Sequence, residues 1–136
     1  MKILALDLGD KWIGSAISDS LRIISKPYKT IKIEELTSFI EDTLNKENIK
    51  TVVIGYPKTL KGQESEQTKK VILIKDNLAK QYPTIEWVLW DERLSSKRAQ
   101  SILGRGHLSK EDKVKEHSIA AAFILQSYLD YLAIQN

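Results

Sequence analysis

Two apolar runs in this sequence stop at carboxylates. Ile3, Leu4, Ala5 and Leu6 lead into Asp7, and Ile85 to Trp90 leads into Asp91 and Glu92, with Arg93 next. A carboxylate at the end of a buried segment is costly unless it is paired, hydrogen-bonded or bound to a cation. Two carboxylates brought together repel, which raises a pKa unless a cation intervenes. Hard cations such as Mg²⁺ bind through one or two carboxylates plus water and substrate phosphates. That chemistry suits phosphodiester hydrolysis, in which metal ions activate water and stabilise the leaving oxygen. Asp7 with Glu92 is therefore a candidate metal pair. Asp91 competes with Glu92, because adjacent strand residues point to opposite faces. Arg93 is placed to pair with either acid or to hold a phosphate. The plainer alternatives are that Asp7 caps a turn and that the Asp-Glu-Arg run is a solvated loop.

The elements that would bring these acids together can be read from periodicity. Gly9 and Asp10 make a turn, and Trp12, Ile13, Ala16 and Ile17 resume apolar character. This is a β-hairpin whose first strand is buried on both faces. Tyr28 to Ile33 reads as a third strand at the sheet edge, where the nearby Pro27 is tolerated. Glu34 to Glu47 sets Leu36, Phe39, Ile40 and Leu44 on one helical face. Thr51 to Gly55 (TVVIG) is a short β-branched run and reads as a buried parallel strand. A polar loop follows, then a helix capped by Ser65 with Val71, Ile74, Leu78 and Tyr82 as its stripe, ended by Pro83. Ile85 to Trp90 is the next strand. A short helix bearing Ala99, Ile102 and Leu103 gives way at Gly104 and Gly106 to a basic loop. The last helix spans about Lys110 to Leu132, with Val114, Ser118, Ala121, Ala122, Leu125, Leu129 and Leu132 at helical spacing. The result is a mixed α/β sheet, antiparallel on its hairpin side and parallel on the other. Ligands bind beyond the carboxyl ends of the parallel strands in such sheets, where Asp7, Gly55 and Asp91–Glu92 all fall.

Composition sets the outer limits. At 136 residues, the chain is expected to form one domain over 1–136. Its 42% hydrophobic and 29% charged content is that of a globular protein. With no cysteine, disulfides and thiolate metal sites are excluded. The first apolar run is too short for a signal-peptide core and no segment approaches spanning length, so a cytoplasmic protein is expected. A net charge of +3 permits a polyanionic partner without demanding one. Arg93, Lys97, Arg98, Arg105, Lys110, Lys113 and Lys115 form either a basic face or a solvated set of helix charges.

The segments LALDLGDKWIGSAISD, GYP after TVVIG, GQESEQT, WDERLSS and IAAAFILQSYLD together resemble the YqgF (RuvX) family, in order and spacing, over nearly the whole chain. The resemblance implies a ribonuclease H-like fold, with a five-stranded mixed sheet and helices on both faces. It also implies a metal-dependent endonuclease, using Mg²⁺ or Mn²⁺, that processes the 5′ end of precursor 16S rRNA in the cytoplasm. Holliday-junction resolution on branched DNA, or a non-catalytic RNA-binding role in ribosome assembly, are the alternatives. A nucleotide-binding phosphotransferase, suggested by the DLG-containing hairpin, would need two such domains. The expected oligomeric state is a monomer or weak homodimer.

By the same resemblance, Asp7 matches the first acid of the family and Glu92 the second. The third acid stands three residues before the paired alanines of the last helix, a position that His117 holds here. An imidazole can ligate a divalent cation but brings no negative charge and is softer. Weaker Mg²⁺ binding and relatively better use of Mn²⁺ are therefore expected. Glu116 would point about 100° away around the helix, and Asp112 would approach only in a helix that begins later. The structural alternative for His117 is a half-buried side chain bonded to backbone. Lys58 and Lys61, in the loop after Tyr56, and Arg93, Lys97 and Arg98 are the expected nucleic-acid contacts. Trp12 and Trp90 flank the site, either as stacking surfaces for unpaired bases or as core residues.

Overall fold

Alternating burial along the first strand explains the layering of the molecule. The computed structural model describes residues 1–56, 66–92 and 116–135. In β1 (Lys2–Leu8), Leu4, Leu6 and Leu8 pack into one core while Ile3 and Ala5 pack into another. The strand is thus buried on both faces, as its apolar run predicts. β2 (Trp12–Ser18) returns antiparallel beside it, and β3 (Ser25–Lys32) pairs antiparallel with β2. A 3-10 turn over Ile33–Glu35 leads into α1 (Leu36–Lys46). Then come β4 (Ile49–Tyr56), α2 (Glu66–Gln81), β5 (Glu86–Asp91) and α3 (Glu116–Gln135). The five-stranded sheet has the order β3-β2-β1-β4-β5, with β4 parallel to both β1 and β5.

The two faces are covered differently. Leu36, Phe39 and Ile40 of α1 and Val71 and Leu78 of α2 close over Leu4, Leu6, Val52 and Ile54. On the opposite face, among the described residues, α3 alone lies across β2, β3 and β1. Its Ala121, Ala122, Leu125 and Leu129 pack on Ile3, Ala5, Ala16 and Val53. Small residues on both sides let the helix approach the sheet closely.

Most described boundaries differ from the sequence expectation by a residue or two, and two differ by three: α3 runs on to Gln135, past the expected Leu132. β3 begins at Ser25, three residues before the expected Tyr28, and contains Pro27. Pro27 sits opposite Ala16, where the register between β2 and β3 shifts. An edge strand can accept proline because its outer side makes no ladder bonds. The α3 stripe is buried as expected, and Ile124, Gln126, Ser127 and Tyr128 are buried as well. The Ser65 cap, the short helix around Ala99 to Leu103, Val114 and the basic loop lie outside the described residues.

Candidate active site

Strand alternation places Asp7 on the α3 face. It follows Ile3 and Ala5 at the period of two, and is aligned with Gly14 on β2 and Gly55 on β4. By the same alternation Glu92, just past β5, continues the side of Val88 and Trp90, which also pack toward α3. Asp91 instead aligns with Tyr56 and is buried. Glu92, and not its neighbour, is therefore the acid that meets Asp7. The end of β1 is held in place by Gln67, whose Nε2 donates to the Leu8 carbonyl at 3.0 Å.

The two carboxyl groups hydrogen-bond to each other. Burial, with the charge and hydrogen bond of Asp7 and the charge of Asp91, pushes the Glu92 carboxyl up to about 7. Burial also raises Asp7, against the opposing pull of His117 and of the hydrogen bond from Glu92. The direction for both is the same: two half-desolvated acids resist being charged together, and Glu92 holds the shared proton. His117, on the first turn of α3, places Nδ1 3.6 Å from Asp7 Oδ2. Together with Ala120, Phe123 and Ile124, the acids line a cavity of about 230 Å³ at the sheet's carboxyl edge.

Three glycines make this convergence possible. A Cβ on Gly14 would collide with the backbone of His117 and Ser118, so only glycine lets the first turn of α3 rest on β2. A Cβ on Gly9 would lie 2.7 Å from the Trp12 carbonyl and 3.1 Å from His117 Cε1. On Gly55 it would overlap the Ile124 side chain and stand 3.3 Å from Glu92 Oε1. The helix start is further pinned by a 2.5 Å hydrogen bond between the Thr30 and Ser118 hydroxyls. Sequence reasoning passed over Gly14, Thr30 and Ser118 as site-forming residues. The available signal was Gly14 itself, a glycine inside a strand, which marks a close backbone approach.

The expected residues separate into two groups. Asp7, Glu92 and His117 come together. Lys58, Lys61, Arg93, Lys97 and Arg98 lie outside the described residues, as does Asp112. Trp90 is a core residue, with its Nε1 donating to Ser127 Oγ at 3.1 Å and its ring edge-on to Tyr128 at 5.2 Å. Trp12 stays 37% exposed.

Among the described residues no group of three or more His, Asp or Glu side chains forms a ready metal-holding cluster. The Asp7–Glu92 pair by itself fits a hard cation, which needs one or two carboxylates and completes its shell with water and phosphate oxygen. The acids' mutual repulsion is the interaction that such a cation would relieve.

This sheet order, with the last helix crossing the hairpin and acids at the ends of β1 and β5 on either side of β4, defines a ribonuclease H-like fold of the RuvC-like type. RuvC of Thermus thermophilus, in complex with a Holliday junction substrate, superposes with a TM-score of 0.62 at 13% identity, covering 99% of this chain and 96% of that one. The fowlpox virus Holliday junction resolvase gives 0.53 at 19% identity, covering 96% and 99%. A family model described as "RuvX: Holliday junction resolvase" matches residues 1–131, and the chain belongs to the RuvX family. It is 35% identical over 140 residues to a protein of Dictyoglomus turgidum named "Putative pre-16S rRNA nuclease", covering 100% of this chain and 99% of the relative. Relatives of the same name in Caldicellulosiruptor bescii and Staphylococcus aureus are 37% and 36% identical, each across 96% of this chain.

Proposed function

We propose that the chain, acting as one domain, is a metal-dependent endonuclease that cleaves precursor 16S rRNA. The observation that carries this reading is the meeting of Asp7, from the end of β1, and Glu92, just past β5, across the end of β4, with His117 delivered to Asp7 by the last helix. The names of the full-length relatives supply the substrate class.

In this reading Asp7 and Glu92 hold a Mg²⁺ or Mn²⁺ ion, and His117 is the third member of the set. The ion would supply Lewis-acid stabilisation of the phosphate and an activated water. The chain's own residues do the rest. Gly14 and the Thr30–Ser118 bond fix the imidazole beside Asp7. The Ala120, Phe123 and Ile124 wall keeps one side of the carboxylates dry, which strengthens their hold on a cation.

The test is cleavage of a 16S precursor leader RNA with Mg²⁺ and with Mn²⁺. Asp7→Asn and Glu92→Gln should each lower cleavage roughly 100-fold or more, the scale of losing a group that stabilises transition-state charge. Equal cleavage by parent and Asp7→Asn would overturn the site. His117→Asp should preserve or raise Mg²⁺-dependent cleavage, and a fall would remove His117 from the set. A parent that cuts a four-way DNA junction and leaves the RNA intact would shift the assignment to branched DNA.

A further inference from the structure

Of the three tryptophans in the sequence, two are tied into the protein. The Trp87 and Trp90 indoles donate to the Tyr82 carbonyl and to Ser127 Oγ, each at 3.1 Å. Trp12 is different: it opens β2 with 37% of its surface in water.

Its position follows from register. Trp12, Gly14 and Ala16 share the α3 face of β2, and Gly14 is the cross-strand partner of Asp7. The indole therefore stands two residues, about 6.5 Å, along the strand from the residue facing Asp7, on the same side of the sheet. The Trp12 carbonyl and the His117 ring both border Gly9, so the indole's backbone adjoins the imidazole. The mount is rigid, because Gly9 N–H donates to the Trp12 carbonyl and Ile33 N–H to the Lys11 carbonyl, both at 3.0 Å. Directly across on β3 is Lys32, also exposed.

An indole about one nucleotide step from paired acids, with an ammonium group across the ladder, has the elements of a single-strand site. A large aromatic face binds any base by stacking, and a neighbouring lysine meets the phosphate that joins it to the next. We propose that Trp12 is a stacking platform for the unpaired base adjoining the phosphodiester presented to Asp7 and Glu92, with Lys32 at that base's phosphate. The inference rests on the nuclease reading and deepens it by naming the substrate as a locally unpaired strand. In a duplex both faces of each base are already stacked, so Trp12 would discriminate against it.

The experiment is binding of a short single-stranded oligoribonucleotide in EDTA, where cleavage does not intervene, followed by tryptophan fluorescence and by a Kd. The parent should show quenching that is absent in Trp12→Phe, while Trp12→Phe keeps affinity within a few-fold. Trp12→Ala should bind roughly 10-fold or more weakly. One abasic site moved along the oligonucleotide should cost the parent a similar factor at a single position and cost Trp12→Ala nothing further there. Unchanged affinity in Trp12→Ala, or additive losses at every abasic position, would overturn the platform while leaving the cleavage result standing. A parent that neither binds nor cuts RNA would overturn the nuclease reading and the platform with it.

Discussion

Glu92 is the residue at which pH should act on the metal-free protein. Its carboxyl keeps a proton up to about 7 in the folded chain, whereas an unfolded chain releases it near the ordinary value of 4.5. Between those values the folded state binds more protons, so stability falls as pH rises and the loss is complete above about 7. With solvent screening of a half-exposed group, the loss is on the order of 1 kcal/mol, or a few degrees in Tm. Melting in EDTA at pH 5 and pH 8 checks this. The parent should melt lower at pH 8, and Glu92→Gln should flatten the difference. Mg²⁺ should raise the Tm at pH 8 more than at pH 5. Gly14 governs the same centre by absence of a side chain. Gly14→Ala must push the first turn of α3 off β2, costing roughly 1–3 kcal/mol by overpacking, and should lower cleavage measured well below the melting temperature. Asp7 and Glu92 were legible because a charge at the end of an apolar run is a local signal. Gly14 was legible only as a glycine inside a strand, and not for what approaches it, because that helix lies about a hundred residues later in the chain.

At the scale of elements, the least legible part was how α3 is fastened. The buried Gln126 was visible only as part of a segment. Its Oε1 accepts from Ser25 N–H at 3.0 Å and its Nε2 donates to the Ile23 carbonyl at 3.0 Å. One side chain thus binds the helix to the β2–β3 connection. That connection is shaped by Asp19, whose Oδ1 accepts from the Ile23 and Ile24 amides. Those bonds hold its carboxyl below the usual range. Sequence pattern left Asp19 without a role, since a side chain folding back on its own loop carries no periodic signature. Gln126→Leu keeps the bulk but strands a buried amide and carbonyl, and should cost about 2–4 kcal/mol. Hydrogen exchange should show the Ser25 amide losing protection well before the β1 amides. Equal loss across the sheet would mean that Gln126 stabilises the fold without fastening that connection.

The whole molecule divides its labour between the faces of the sheet. α1 and α2 seal one face, and α2 reaches the acid site only indirectly among the described residues, through Gln67 on the Leu8 carbonyl, whereas α3 both seals the other face and carries His117. Ile40→Ala and Leu125→Ala remove comparable, fully buried volume on opposite faces, and each should cost about 2–5 kcal/mol. Chemical denaturation measures that cost. Cleavage by the folded fraction should change less than about two-fold for Ile40→Ala and clearly more for Leu125→Ala, which underlies the helix positioning the imidazole. The elements were readable because their apolar residues recur at the periods of strands and helices, and their succession along the chain implied a mixed sheet. Helix fastening and glycine contacts were not, because they exist only between elements distant in sequence. The arrangement also has a consequence in time. Asp7 is made well before Glu92 and His117, and segments about a hundred residues apart in sequence must clasp before the three meet. A chain still being synthesised carries no assembled centre until His117 has emerged from the ribosome, so Asp7 and Glu92 wait for the last of the three.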